Sequence, residues 1–249
     1  MQSIPRFVFG LSAVVFGAVS CFVRESETWQ RAQLLGPVLT PIAGWAITLA
    51  LVLGGFAFLV PITTRLASIV LAAVFGYFTI ACISDIVSAP TNPGSYVDIF
   101  EQLSVCCGAF AIAAATVHDR SRFSLFERIA RITLAICAVA FAWAQVAFLH
   151  FTASLVPSWI PLGGIFWTNL TTLAFALAGI AMLIDRLARE AMQLMALMLA
   201  LFGLLVWVPI IVADPAKLTN WTEIALTFLI AGASYFVATL RAAPKRASP

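Results

Sequence analysis

The sequence has few charged residues and few of the side chains that usually carry out chemistry. Only 10% of its 249 residues are charged, whereas 62% are hydrophobic and the mean hydropathy is +1.03. Ordinary soluble domains are about one quarter charged. This composition excludes a soluble globular domain and predicts a protein of the lipid bilayer.

The scarce cations, histidines and cysteines exclude three further kinds of site. The 14 Lys and Arg residues fall in short loops without interleaved aromatics, so we expect no nucleic-acid partner. The two histidines, His118 and His150, belong to opposite membrane faces, which predicts no metal site. No C-x-x-C pair occurs among the five cysteines, so a direct thiol-disulfide role is not expected.

Long apolar segments are abundant. A membrane-spanning helix needs about 20 mainly apolar residues, because hydrocarbon offers no partner for a bare backbone amide. Eight segments qualify and predict an all-α membrane protein of eight transmembrane helices. They are residues 4–23, 37–61, 66–88, 98–117, 132–154, 162–184, 190–212 and 221–240.

The distribution of charge predicts the orientation of these helices. Lys and Arg in short loops stay in the cytoplasm. With the N-terminus inside, the outer side has three cations and the inner side eleven, so both termini are expected to be cytoplasmic. The outer cations are Arg24, Arg31 and Lys217, and the inner ones are Arg6, Arg65, Arg120, Arg122, Arg128, Arg131, Arg186, Arg189, Arg241, Lys245 and Arg246. The acidic residues expected outside are Glu25, Glu27, Asp85, Asp98, Glu101, Asp214 and Glu223.

The chain also contains signs of an internal duplication. "TRLAS" at 64–68 recurs as "DRLAR" at 185–189, Pro90 has a counterpart in Pro215, and Glu101 has one in Glu223, at spacings of 121, 125 and 122 residues. We therefore predict two four-helix repeats, residues 1–118 and 132–249, the second with a basic tail, related by an axis along the membrane normal. Residues 119–131 form a cytoplasmic linker expected to lie on the inner membrane surface.

The two repeats carry a series of short motifs. The second half contains "HF" at 150–151, Ala153, "LVPSWIP", Trp167, Gly179, "DRLAR", "LLVWVPIIVADP" and "NWTEIAL", and the first half contains "FVFGLSAVVFGAVS", "VLGG", "TRLAS" and "FEQL". Taken in order, these motifs resemble the DoxX-like integral membrane proteins over nearly the whole chain.

The resemblance implies four-helix units, sometimes in tandem, in the bacterial inner membrane. It also implies an accessory or subunit of membrane redox chemistry linked to quinone, with membrane lipids and a membrane-associated oxidoreductase or larger complex as partners. A small-molecule or proton-coupled transporter and a structural subunit are the alternatives. A transporter would require an interrupted helix or charges near the midplane, and neither is evident in the sequence.

Ionisable and amide side chains within spans mark the candidate site. Such a side chain costs about 2.5 to 3.5 kcal/mol at the helix centre, so it normally faces the bundle or water. The candidates fall in the outer third of the bilayer and predict one pocket for a proton, a small polar ligand or a quinone head group. They are His150, Gln145, Asn169, Asp85, Glu101 and Glu223.

The same residues have a purely structural interpretation. Glu101 and Glu223 would cap helix N-termini, where carboxylates are favoured, and His150 would bond a backbone carbonyl at the interface. In the pocket interpretation His150 looks into the bundle and exchanges a proton near neutral pH. Pro157 and Pro161 predict a tight outer turn before span six, and Gly54, Gly55 and Gly179 predict helix contacts.

Overall fold

The protein is an all-α membrane protein. The computed structural model describes residues 3–115, here called the first half, and 120–242, the second half. Eight helices or runs of consecutive helical segments in these residues are long and apolar enough to span a membrane, which confirms the predicted number. They are Ile4–Phe22, Thr40–Leu59, Thr64–Ser88, Gly94–Ala114, Phe123–Ala147, Gly163–Leu183, Ala188–Ala213 and Leu218–Leu240.

Both halves have the same order of elements, with a short helix after the first span and another at the end of the third. The first half contains α1 (Ser3–Phe22), α2 (Glu27–Gln33), α3 (Thr40–Leu59), α4 (Thr64–Ala81), α5 (Ile83–Ser88) and α6 (Gly94–Ala114). The second contains α7 (Arg120–Ala147), α8 (Leu149–Leu155), α9 (Gly163–Leu183), α10 (Ala188–Phe202), a π-helical turn (Gly203–Trp207), α11 (Val208–Ala213) and α12 (Leu218–Ala242).

Because consecutive spans cross in opposite directions, the loops divide between two ends of the bundle. The end that carries α2, α5, α8 and α11 is called the acidic end, since it holds Glu25, Glu27, Asp85, Asp98, Glu101, Asp214 and Glu223. The opposite end is called the arginine-rich end. It holds Arg6, Arg65, Arg128, Arg131, Arg186 and Arg189.

Span five differs from its predicted bounds. Residues 120–131 of the predicted linker are part of α7, because residues 120–147 contain neither glycine nor proline and a helix can run through them without a break. His118 and Asp119 lie outside the described residues. At its other end α7 stops at Ala147, and Phe148 leaves the helical conformation with φ −113° and ψ 33°. His150 therefore belongs to α8 and does not close span five.

The contacts between the two halves are equivalent on both sides. The first span of each half packs on the fourth span of the other half: α1 packs on α12, and α7 packs on α6. α6 and α12 also contact each other, and a Cβ added to Gly108 would lie 2.2 Å from that of Ala233. This pattern agrees with the predicted two repeats, which stay a prediction.

A repeated hydrogen bond aligns the fourth spans of the halves. The Tyr96 hydroxyl donates to the carbonyl of Pro90 at 2.9 Å, and Trp221 Nε1 donates to the carbonyl of Pro215 at 3.1 Å. Pro90 and Pro215 are 125 residues apart in the sequence, and so are Tyr96 and Trp221. Gly108 and Ala233 have the same spacing. At this spacing Glu223 aligns with Asp98 rather than with Glu101, the counterpart inferred from sequence.

The glycine contacts agree with the sequence prediction. A Cβ at Gly55 would lie 2.6 Å from the carbonyl oxygen of Gly10 on α1, and one at Gly179 would lie 2.7 Å from the Val139 side chain on α7. Gly54 lies against Leu71 on α4. Without a hydrophobic drive between helices in lipid, such close approaches supply the packing contacts that hold the spans together.

Candidate functional site

The structure gathers three of the six predicted site residues around one cavity at the acidic end. Glu101 on α6, Gln145 on α7 and Glu223 on α12 line a cavity of about 760 Å³. α8 and the π-helical turn close its other sides. The remaining lining residues are Val97, Ala144, Phe148, Phe151, Thr152, Leu155, Trp207, Lys217, Thr219 and Asn220.

Two buried polar residues line this cavity, Gln145 and Asn220. Gln145 Oε1 accepts hydrogen bonds from the hydroxyls of Thr171 at 3.1 Å and Thr172 at 2.9 Å, both on α9. The same hydroxyls also lie within hydrogen-bond distance of backbone carbonyls of α9, at 2.9 Å from Trp167 and 2.8 Å from Thr168. The two threonines therefore hold one side of the Gln145 amide against α9.

The two carboxyls of the cavity come from different halves. Glu101 lies two turns into α6, and Glu223 lies in the second turn of α12. They interact electrostatically with each other, and Lys217 is the cation that lines the same cavity. The cavity therefore brings two carboxyls, an amide and an ammonium group together, and these groups can accept hydrogen bonds from a ligand or donate them to it.

His150 and Asn169 do not face this cavity. His150 is exposed on α8, which has no buried residue, because the break at Phe148 turns the helix away from the line of α7. The expectation that His150 looks into the bundle is therefore wrong. Asn169 is also exposed, and its Nδ2 donates to the backbone carbonyl of Ile165 at 2.9 Å.

Asp85, the sixth predicted residue, lies in a separate ion-pair cluster built on α2. Arg31 is buried in α2 and its guanidinium bonds the Asp85 carboxylate directly. The same group lies 3.4 Å from Glu27 and 3.9 Å from Asp98. We call Glu27, Arg31, Asp85, Asp98 and Gln102 the Arg31 cluster.

Two further hydrogen bonds hold the Arg31 cluster, one within it and one to α4. Gln102 Nε2 donates to the Glu27 carboxylate at 2.9 Å, and the Tyr77 hydroxyl donates to the carbonyl of Arg31 at 2.7 Å. α2 is also held by Trp29, whose ring covers Gly44 and whose Nε1 donates to the Ser20 carbonyl at 2.7 Å. The cluster therefore joins α2 to α4, α5 and α6.

Glu27 is the carboxyl of this cluster that lies outside the spans. Burial raises the pKa of Glu27 from 4.5 to about 7, against the opposing effect of Arg31. The carboxylates of Asp98 and Glu223 raise this pKa further. Three carboxyls within 4 Å of a single guanidinium carry excess negative charge, and a proton on Glu27 removes part of it.

The sequence prediction missed Glu27, Arg31 and Gln102. A usable signal was present, because Glu27 and Arg31 are four residues apart and face the same side of a helix. Arg31 is also one of only three cations that the sequence analysis assigned to the outer side. The positive-inside rule makes cations rare on that side, so each one suggests a specific role. Gln102 follows Glu101 directly, and only the structure shows that the two side chains belong to different sites.

Span seven is interrupted next to the cavity. Pro209 has no N–H to bond the carbonyl of Leu205, and its ring would collide with that carbonyl in a regular α-helix. The chain forms a π-helical turn at Gly203–Trp207 instead. Such turns often occur at functional sites. Here it directs Trp207 into the cavity, and it supplies the interrupted helix that sequence reasoning did not find.

A second, apolar chamber adjoins the acidic cavity. It has a volume of about 210 Å³ and shares Thr152, Leu155 and Trp207 with the larger cavity. Its other walls come from α9, α10, the π-helical turn and the loop before α9. They include Val156, Ile160, Trp167, Met198, Leu201, Phe202 and Leu205. The two spaces together offer a polar compartment joined to an oily one.

Among the described residues, no group of three or more His, Cys, Asp and Glu side chains is placed to hold a metal ion. No protein-family model, curated protein or solved structure matches this chain. The DoxX-like resemblance therefore stays a prediction made from its motifs.

Proposed function

We propose that this membrane protein binds an amphipathic molecule of the quinone class at its acidic end and works as a DoxX-like accessory of membrane redox chemistry. The observation that carries the proposal is the cavity in which Glu101, Glu223 and Gln145 converge beside an apolar chamber. The polar compartment suits a head group with carbonyl oxygens, and the chamber suits the adjoining part of an isoprenoid tail.

Each polar group has a defined part in this proposal. The amide nitrogen of Gln145 donates to one head-group oxygen, while the Glu101 and Glu223 pair holds a proton for transfer to another. Reduction of a quinone to a quinol takes up two electrons and two protons. A membrane-associated oxidoreductase supplies the electrons, and these carboxyls exchange the protons with the acidic end, which we place outside the cytoplasm of a bacterial cell.

The test is a titration of the purified protein in nanodiscs with a short-chain ubiquinone analogue. Quenching of tryptophan fluorescence reports the binding. The Glu101→Gln, Glu223→Gln double variant is expected to bind about tenfold more weakly, the effect of losing about 1.4 kcal/mol of hydrogen bonding. Glu25→Gln, an exposed carboxyl outside the cavity, is the matched control. Trp207→Phe identifies the part of the signal that comes from the cavity.

Two results would contradict the proposal. One is equal quinone affinity in the parent and the double variant. The other is quenching that is undiminished in Trp207→Phe, because it would place the quinone away from the cavity. Extraction of bound lipids from gently purified protein gives a third measurement, and quinone should be present in the parent and depleted in the double variant.

The π-helical turn favours one alternative, a small-molecule or proton-coupled transporter. Interrupted helices at a repeat interface form the binding sites of many transporters, and this one lines both the cavity and the chamber. Uptake of a ligand into sealed proteoliposomes, dependent on a pH gradient and lost in the double variant, would support transport over an accessory role.

A further inference from the structure

An apolar groove lies at the arginine-rich end, on the opposite side of the membrane from the acidic cavity. It runs between α4, α6 and α7 and has a volume of about 460 Å³. Arg65 stands at its mouth. The other lining residues are Ile69, Ala72, Ala73, Cys106, Phe110, Ala113, Ala114 and Phe126.

The shape of the groove follows from its small residues. Ala72 and Ala73 on α4 face Cys106 and Ala113 on α6, so the two helices leave a trough where larger side chains would interdigitate. The rings of Phe110 and Phe126 meet edge to face at 5.3 Å and form one wall. From Arg65 to Ala72 the groove runs about 10 Å along the helix axis, at 1.5 Å per residue.

The inner end of the groove is closed by helix contact. The Cys106 thiol donates to the carbonyl of Ala72 at 3.3 Å, and a Cβ added to Gly76 would touch the same sulfur at 3.4 Å. The groove is therefore a blind channel, open toward the arginine-rich end and toward the surrounding lipid. An occupant must enter from one of these two directions.

Two arginines at the arginine-rich end, Arg131 and Arg65, differ in their burial and in their polar contacts. Arg131 is buried, lies 3.5 Å from Asp185 and donates to the carbonyl of Met182. Arg65 is exposed and makes no side-chain hydrogen bond or ion pair with the described residues. A guanidinium in this position presents its full set of donors to a phosphate.

We propose that this groove is a binding site for a glycerophospholipid, with the phosphate on Arg65 and one acyl chain lying over Ala72, Ala73 and Cys106. Charge complementarity selects this occupant, because a single cation at the membrane surface above an apolar channel matches one phosphate above one hydrocarbon chain. The site is independent of the quinone proposal, since none of its residues lines the acidic cavity.

The test is native mass spectrometry of delipidated protein titrated with dioleoylphosphatidylglycerol. The parent is expected to retain one lipid more tightly than the rest. Arg65→Gln removes the phosphate contact and Ala73→Phe fills the channel, and each should weaken that binding at least fivefold. Arg189→Gln, an exposed arginine of the same end outside the groove, and Ala46→Phe, an exposed alanine of α3, are the matched controls.

A second measurement does not depend on Arg65. Alkylation of Cys106 by a lipophilic maleimide, in a Cys21→Ser background, should slow at least fivefold when the lipid is added, because the acyl chain covers the thiol. Unchanged alkylation, or lipid retention in Arg65→Gln and Ala73→Phe equal to the parent, would overturn the proposal. Displacement of the lipid by millimolar inorganic phosphate, with Ala73→Phe binding normally, would overturn it as well, because a free phosphate site would then suffice.

Discussion

The acidic ends of the two halves are built from the same elements and differ in what fills them. In the first half α2 is packed into the bundle, with Thr28, Trp29, Arg31 and Ala32 buried. In the second half α8 has no buried residue, and a cavity of about 760 Å³ lies beside it. The first half closes its part of the acidic end with ion pairs and is called the closed half. The second half, called the open half, borders a cavity to which Val97 and Glu101 of the first half also contribute.

The difference follows from a few residue types. α2, with the sequence ETWQRAQ, contains an arginine that reaches the carboxyls of α5 and α6, whereas α8, LHFTASL, contains no arginine or lysine. α5 carries Asp85, and α11, VPIIVA, has no ionisable residue. α8 therefore lacks an arginine or lysine that could form a matching ion pair, and none of its residues is buried. The first half thus carries an ion-pair cluster at the position where the second half borders the cavity.

The largest expected effect comes from removing the cation of the closed half. Arg31→Met leaves the carboxylates of Glu27, Asp85 and Asp98 without their partner. We expect this to cost about 3 kcal/mol of unfolding free energy, at the low end for a buried ion pair, because Asp85 and Asp98 are partly exposed to solvent. His150→Met, on the corresponding helix of the open half, should change it by less than about 0.5 kcal/mol. Unfolding in mixed micelles measures both, and equal effects would mean that the two ends are held in the same way.

The next largest effect is the pH dependence that Glu27 gives to the free energy of unfolding. The folded protein keeps this proton up to about pH 7, whereas the unfolded chain releases it near its ordinary pKa, so the folded state binds more protons between these values. Stability should therefore fall as the pH rises from about 5 to 7, by roughly 3 kcal/mol at most. Arg31, Asp98, Glu223 and the amide of Gln102 face this carboxyl.

The Glu27→Gln variant should remove this slope, measured as the unfolding free energy between pH 5 and 8. Glu25→Gln, on the exposed side of the same turn, is the control and should keep it. A slope that persists in Glu27→Gln would assign the proton to another carboxyl of the Arg31 cluster.

The smallest effects come from the glycines under the two short helices. A Cβ at Gly44 would lie 2.3 Å from the Trp29 ring, and one at Gly164 would lie 2.0 Å from the carbonyl oxygen of Ala153. Each alanine variant should cost about 1–3 kcal/mol through overpacking. Gly76→Ala, with its nearest neighbour at 3.4 Å, should change stability by less than about 1 kcal/mol.

These glycine variants also separate the roles of the two ends. Gly164→Ala displaces α8 and should weaken quinone binding, whereas Gly44→Ala displaces α2 and should leave that binding unchanged. Weakened binding in both variants would show that the closed half also shapes the cavity.

Much of the architecture could be predicted from local composition. The eight spans and the division of charge between the ends follow from runs of apolar residues and from the positions of Lys and Arg. Glu101, Gln145 and Glu223 were placed at one depth by counting residues along their spans, and the structure brings them to one cavity. Depth is readable in this way because each residue of a helix advances it by a constant 1.5 Å.

The remaining features depended on contacts between distant segments. His150 was misplaced because the break at Phe148 lies within an apolar run that carries no proline or glycine. The Arg31 cluster was missed because its members come from α2, α5 and α6, which adjoin only in the folded bundle.

By itself the amino-acid sequence determined that the chain forms helices, how many of them are long enough to cross a bilayer and which residues lie at each end. A helix in hydrocarbon satisfies its own backbone hydrogen bonds, so these properties belong to each segment alone. Tertiary structure alone decided which face each helix turns inward, since lipid supplies no hydrophobic drive between helices and close packing sets their rotation. That rotation placed Arg31 among three carboxyls in the first half and left a cavity beside α8 in the second.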